Sequence, residues 1–245
     1  MKAALLQSGL RLIYPPRCIV CGVLVDSDFG LCGPCWRDTP FISGAACNLC
    51  GVHLPAGPDA DEGNLHCDDC LNLPRPWTAG RAAVMYRDNG RKLVLALKHG
   101  DRHDVVRPAA IWMARAAQPL LRPDTLIAPV PLHWLRLLKR RYNQAALLAR
   151  AVAQQVDHAW CPDLLIRPRH TPTLGIRGRD ERFATLTGAI EVHPKRKHRL
   201  AGRHVLLVDD VMTSGATFTA AAEACLAVGA VDVSILVLAR AGKEP

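Results

Sequence analysis

The chain has no apolar run approaching the roughly 18 residues needed to cross a bilayer, although 49% of its 245 residues are hydrophobic. That composition supports a packed core, and no membrane insertion is expected. The opening stretch MKAALLQSGLRLIYPP also lacks the marks of a secretory signal. Gln7, Ser8 and Arg11 interrupt any apolar centre, and no small-residue cleavage site precedes Cys18. Residues 1–17 therefore read as a short amphipathic helix. With no sign of export, the ten cysteines are not expected to form a secreted disulfide framework, and metal-bound thiolates in a reducing cytoplasm fit better. Acidic residues are few beside basic ones, 22 against 31, giving a net charge of +9. This favours acidic ligands or nucleic acid without showing either. The excess is local: residues 163–204 hold ten Lys or Arg against four acids, a basic loop that is either merely solvated or functional. No internal repeat exists beyond the cysteine pairs, and no dedicated general base stands out.

Eight of the cysteines form four C-x-x-C pairs, Cys18/Cys21, Cys32/Cys35, Cys47/Cys50 and Cys67/Cys70. A C-x-x-C turn points two sulfurs at one metal, and zinc takes four such soft ligands in a tetrahedron. Four pairs imply two structural Zn2+ sites. Sequential pairing groups Cys18, Cys21, Cys32 and Cys35 on one ion and Cys47, Cys50, Cys67 and Cys70 on the other; an interleaved cross-brace is the alternative. His53 and His66 are surplus to complete four-cysteine sets. Gly22, Gly33 and Gly51 lie where a knuckle needs backbone freedom. Between Asp26 and Asp69 acids outnumber bases, which argues against the ribbons themselves gripping a phosphate backbone. With few apolar residues between knuckles, the metals are expected to supply much of the folding energy.

The segment LNLPRPW reads as a linker, giving boundaries of 18–72 for a double zinc ribbon, 73–80 for the linker and 81–245 for a second domain. There RAAVMYR reads as a strand, RKLVLALKHG as a helix ended by Gly100, residues 105–118 as a second helix, and TLIAPVPL as a strand with prolines at its exit. RRYNQAALLARAVAQQV reads as a long helix and VDVSILVLAR as a last strand. This alternation indicates an α/β fold with a parallel sheet. The stretch HVLLVDDVMTSGATF is the most informative. Its run Val205, Leu206, Leu207, Val208 suits a central strand covered on both faces. Asp209 and Asp210 fall at its carboxyl end, and small hydroxylated residues lead into an alanine-rich helix over 219–228 before Gly229. Loops at that sheet edge meet helix N-termini whose free N–H groups favour anions. Gly215 permits a positive φ, and Thr213, Ser214 and Thr217 add donors. Two acids beside a phosphate cradle are compatible with sugar hydroxyls or a metal, so a sugar phosphate satisfies both halves.

The stretch resembles the loop of type I phosphoribosyltransferases that binds phosphoribosyl pyrophosphate (PRPP). The four knuckles, LKHGDRHD, PVPLHWLRLLKRRYNQAALLA and LLVDDVMTSGATFTAAA together resemble the ComF family of competence-associated phosphoribosyltransferase-like proteins over nearly the whole chain. By that resemblance the second domain has the type I phosphoribosyltransferase fold. Asp209 and Asp210 face the ribose 2′ and 3′ hydroxyls, and Val211, Thr213, Ser214, Gly215, Ala216 and Thr217 wrap the 5′-phosphate. Residues 129–132, with Pro131, form the pyrophosphate-side loop, and Mg2+ accompanies PRPP. Arg141, Asn143 and Gln144 match a family motif, or else form a surface helix start with a capping asparagine. Lys98 matches a family lysine and serves either a phosphate or a surface salt bridge.

Arg167, Arg169 and Thr171 match the start of a mobile loop. The family's glutamine and asparagine in that loop are replaced here by Thr173 and Leu174 and, near Arg182, by Thr185. This departure bears on catalytic turnover and base recognition more than on PRPP binding. As an enzyme the protein would be a phosphoribosyltransferase, with Asp209, Asp210 and Arg141 at the reacting centre. The family also implies competence and DNA uptake, with single-stranded DNA or competence proteins such as a DNA-uptake helicase as partners. Trp134 and Tyr142, among Arg136, Lys139, Arg140 and Arg141, are either stacking platforms for a strand or core residues.

Overall fold

The computed structural model describes residues 14–55, 65–99, 102–169, 179–186 and 188–242. The helix expected at the amino terminus falls largely outside them, as do Gly100, Thr171, Thr173 and Leu174. Two short helices, α1 (Gly33–Arg37) and α2 (Asp68–Asn72), belong to the cysteine-rich region. Then follow β1 (Ala79–Met85), α3 (Asp88–His99), α4 (Val106–Ala117), β2 (Leu126–Pro129), α5 (Trp134–Arg140), α6 (Gln144–Val156), β3 (Ala159–Trp160) and β4 (Leu165–Ile166). The chain continues through α7 (Arg179–Leu186), β5 (Glu191–Val192), α8 (Lys197–Leu200), β6 (His204–Met212), α9 (Ala216–Ala227) and β7 (Asp232–Arg240).

Five strands form one parallel sheet in the order β1-β7-β6-β2-β3. Strands β4 and β5 pair antiparallel beside it. Because β6 lies between β7 and β2 and helices cover both faces, neither face of its apolar run meets water. Side chains alternate: Val205 and Leu207 enter one buried cluster with Phe218 and Ile235, while Leu206 and Val208 enter the opposite one with Leu97, Met113 and Leu148. Helix α6 presents Leu148, Ala149, Val152 and Ala153 to that second cluster at helical spacing.

The second ribbon is not a separate bead. Cys47, Cys50, Val52, Cys70 and Trp77 belong to the same buried cluster as Leu207 and Phe218. The knuckle at Gly51 sits so tightly on β1 that a Cβ there would lie 2.5 Å from the Ala82 amide nitrogen, at a φ of +70°. Of the other knuckle glycines, Gly22 also has a positive φ, whereas Gly33 opens α1 without one.

Three elements depart from the sequence reading. Strand β6 continues four residues past Val208 to Met212, so the two acids lie within it. The helix expected from Arg140 onward begins only at Gln144, and a separate helix precedes it: α5 ends where Arg141 adopts a left-handed backbone, φ 66°, and α6 starts where Asn143 Oδ1 accepts the Ala145 amide hydrogen at 3.0 Å. The last helix begins at Ala216 rather than Thr219, since the left-handed Gly215 turns the chain directly into it.

Candidate functional site

Two cysteine tetrads and one strand end make up the candidate sites. The sulfurs of Cys18, Cys21, Cys32 and Cys35 converge, as do those of Cys47, Cys50, Cys67 and Cys70, each set within 4.8 Å. The grouping is sequential, not cross-braced. Sulfurs on a tetrahedral zinc with bonds of about 2.3 Å stand about 3.8 Å apart, close to the 3.6 Å of Cys21 to Cys32 and of Cys50 to Cys67. The donor chemistry and spacing both fit Zn2+. Charge follows burial: the second tetrad has Arg81 and Arg240 near its thiols, and their fields act on Cys47 and Cys50.

The crevice at the carboxyl edge of the sheet arises from unequal strand lengths. Strand β2 ends at Pro129, paired with Val208, while β6 runs on beside β7. Asp209 and Asp210 therefore project where the β2 side of the sheet has stopped, and Lys98 acts on both. Asp210 is buried and pairs with Lys98 Nζ at 3.2 Å. Asp209 accepts the Asp210 amide hydrogen at 2.8 Å. Burial pushes Asp209 up to about 7, with the Asp210 charge adding to the rise and Lys98 and Arg167 opposing it. Burial also raises Asp210, against the pull of Lys98 and Arg140. On the other side burial lowers Arg167 to about 10, helped by Arg136 and resisted by Asp209. Two acids facing three cations, Lys98, Arg140 and Arg167, is an arrangement for groups that bring both hydroxyl donors and negative charge.

The Lys98 contact is not the surface salt bridge considered above, since only 19% of its side chain and 8% of that of Asp210 are exposed. Lys98→Met should therefore strand a buried carboxylate and lower stability by up to about 3 kcal/mol. Equilibrium denaturation by urea, with a loss that shrinks as the pH is lowered and Asp210 takes up a proton, checks this.

Residues 213–217 curl over the end of β6. Gly215 has φ +87° and no side chain caps α9 through it, so the first amides of that helix face the loop. Ser214 Oγ accepts only a long contact from Ala216 N, 3.5 Å. A Cβ at Gly215 would stand 2.7 Å from Arg75 Nη1 and 2.8 Å from the Met212 methyl carbon. The glycine thus answers to packing behind the loop as well as to its turn.

On the facing side, Val130 N donates to Val208 O at 2.9 Å. Asn143 Nδ2 donates to Val130 O at 3.0 Å, so Asn143 both caps α6 and fixes the loop that holds Pro131. Arg141 is exposed at the α5 terminus. Arg140, beside it, reaches Gln144 Oε1 at 3.3 Å and adds its field to Asp210. Tyr142 donates its hydroxyl to Leu97 O at 2.8 Å and meets His103 edge-on, which ties it to the α3 end. Trp134 is 58% exposed. Thr185 is occupied within α7, donating to Glu181 O at 2.6 Å.

Sequence reasoning missed Arg75 and Arg240. Arg75 donates Nη1 to Ser214 O at 2.9 Å, and Arg240 donates to Thr213 O at 2.8 Å. Neither carries a local motif, and each reaches the loop from a distant part of the chain.

A cysteine-rich double knuckle joined to a parallel-sheet domain with an acid pair and a small-residue loop defines a class: zinc-ribbon proteins with a phosphoribosyltransferase fold. Comparison with known proteins agrees. A double zinc ribbon domain family matches residues 9–71, and a phosphoribosyl transferase domain family matches residues 143–245. The "DNA utilization protein YhgH" of Salmonella typhi is 30% identical over 94% of this chain and 99% of its own length. "Competence protein F" of Haemophilus influenzae is 29% identical over 92% of the chain and 97% of its own length. "Competence protein ComFC" of Bacillus subtilis is 25% identical over 89% and 87%. The chain belongs to the ComF family of competence and DNA utilization proteins. Among the described residues no helix is long and apolar enough to cross a membrane.

Proposed function

We propose that the carboxyl-edge crevice binds PRPP or a closely related sugar phosphate, in a protein serving competence and DNA uptake. The observation that carries this reading is the Asp209–Asp210 pair set within reach of Lys98 and Arg167 directly before an anion-compatible loop. Carboxylates accept hydrogen bonds from the 2′ and 3′ hydroxyls, and the amides and hydroxyls of residues 213–217 take the 5′-phosphate. The pyrophosphate, with the Mg2+ it carries, lies toward Pro131, Lys98 and Arg141. Lys98 is shared: it neutralises Asp210 in the free protein and turns to the incoming anion when the ribose hydroxyls take over that carboxylate. Where transfer to a base follows, these cations would neutralise the departing pyrophosphate.

A second reading, single-strand binding, draws on the exposed face of α5. Trp134 and Leu138, 58% and 70% exposed, stand beside the charges of Arg136 and Arg140, a combination suited to stacking bases along a basic groove. Tyr142 does not contribute, being committed to Leu97 O.

Calorimetric titration of the full chain with PRPP, with and without Mg2+, separates the two. One site per chain is expected, with affinity strengthened by Mg2+. No heat from PRPP, together with steeply salt-dependent single-strand binding that Trp134→Ala abolishes, would replace the first reading by the second.

A further inference from the structure

The back of the phosphate loop is held by two arginines that also connect it to the second cysteine tetrad. Arg240, the last residue of β7, is 2% exposed and donates Nη1 to the carbonyls of Thr213 at 2.8 Å, Met212 at 3.3 Å and Ala241. Its charge also reaches the metal site. Cys50 is the tetrad cysteine within its electrostatic reach. Arg75 follows the tetrad's last cysteine by five residues, donates to Ser214 O and lies 5.3 Å over the Trp77 ring. Trp77 in turn donates its indole N–H to Leu49 O, between Cys47 and Cys50, at 2.6 Å. Met212, Trp77 and three of the tetrad's cysteines share one buried cluster.

Charge explains why the connection depends on metal. Nε of Arg240, and Nε and Nη2 of Arg75, are buried without a hydrogen-bond partner. A buried guanidinium needs a nearby negative charge. Four thiolates around Zn2+ carry two net negative charges, and that centre lies beside Arg240 in the fold. Metal also fixes the Cys47–Cys50 turn that carries Leu49 O, the acceptor of the Trp77 indole, so the surface behind Arg75 depends on an occupied tetrad. Among the described residues the first tetrad shows no such link: Ile19, beside Cys18, packs in the cluster on the opposite face, and its carbonyl is met by Arg102 rather than by a loop arginine.

We propose that metal at the second tetrad sets the conformation of the phosphate loop through Arg240 and Arg75, so that zinc retention at this tetrad and anion binding at residues 213–217 reinforce each other. The two arginines pull the carbonyls of residues 212–214 inward, which turns the amides that follow toward the crevice. Coupling of this kind is reciprocal, and whatever steadies one site steadies the other. Arg75 and Arg240 are positioning residues here. The identity of the anion rests on the function proposed above; the coupling itself does not.

The test is the rate of zinc release from the full chain to a chromophoric chelator under reducing conditions. Two phases are expected, and the one missing in Cys32→Ser belongs to the first tetrad. In the absence of any ligand, Arg75→Gln and Ser214→Gly should each speed the second-tetrad phase at least fivefold and leave the first unchanged. Ser214→Gly touches no cysteine, so its effect reports the loop alone. Unchanged second-phase rates in both variants, or equal acceleration of both phases, would overturn the coupling. Saturating magnesium PRPP should slow the second phase of the wild type at least fivefold, within the usual range of coupling between sites, and should lose this effect in Arg75→Gln. PRPP that binds calorimetrically yet leaves release unaltered would also overturn the proposal. If PRPP does not bind at all, the ligand assignment fails, and the ligand-free comparison decides the coupling by itself.

Discussion

Replacing Asp209 and Asp210 together by asparagine is expected to weaken PRPP binding by about 100-fold or more, since hydrogen bonds to a charged group contribute roughly 1.5–3 kcal/mol each. Loss of the Asp209 carboxylate by itself should stabilise the ligand-free protein. Burial holds Asp209 at about 7, far above its ordinary 3.8, with Asp210 adding to the rise. A carboxylate whose folded-state value is raised takes up a proton on folding, so its ionised form costs stability. That cost is full above about pH 7, shrinks as pH falls, and vanishes below the unfolded value near 4. Asp209→Asn alone should therefore raise the melting temperature by several degrees at pH 8, on the scale of roughly 2–4 °C per kcal/mol for a chain of this size. The gain should disappear near pH 4. Scanning calorimetry at the two pH values, paired with ligand titration, checks both halves. A variant that is less stable at pH 8 and still binds PRPP would show that the acids serve the fold alone. The double variant should lose this gain, because Asp210 is 5% exposed and its charge holds Lys98.

Removing zinc should have the largest effect on the fold. Structural zinc contributes on the order of 10 kcal/mol in isolated zinc-finger peptides, as much as the whole stability of a typical domain, about 5–15 kcal/mol. Two ions per chain are expected by metal analysis after reducing purification. The sites should differ in consequence. The first tetrad meets the rest of the fold through Ile19, Val20, Leu31 and the Asn89 bond to Cys35 O, all away from the phosphate loop, so its loss should unfold that ribbon and leave the loop side of the sheet in place. The second shares its buried cluster with Trp77, Leu207 and Phe218, so its loss should take the sheet with it. Circular dichroism during chelation, in wild type and in Cys32→Ser, measures the difference. Zero or one zinc per chain, or an unaltered sheet after both are removed, would contradict the double ribbon's structural role.

What could be read from the sequence was what local chemistry dictates. C-x-x-C spacing fixes two sulfurs by its own turn, so the four knuckles were legible from Cys18 to Cys70, whereas the choice between sequential grouping and a cross-brace was left to the fold. The run before Asp209 announced a doubly covered strand because each position is apolar, and Gly215 announced the left-handed turn. Less legible was anything set by a partner far along the chain. Nothing local to DDVM says that β7 would continue pairing to Met212↔Arg240 and draw the acids into the strand. The break between α5 and α6 depends on Arg141 adopting φ 66°, which its residue type does not advertise. Lys98 stood between a phosphate and a surface pair until the packing of α3 set it on Asp210. Arg75 lay in a segment that read only as a linker. Its role depends on 139 residues of intervening chain bringing Ser214 to it.

The most direct test of the central assignment is a crystal of the zinc-loaded chain soaked with Mg2+ and PRPP. The ribose should lie over Asp209 and Asp210, the 5′-phosphate should sit against the amides of residues 213–217, and the pyrophosphate should lie toward Pro131 with Lys98 turned from Asp210 to meet it. Ligand density elsewhere, or a crevice left empty with the Lys98–Asp210 pair intact at saturating PRPP, would contradict the assignment.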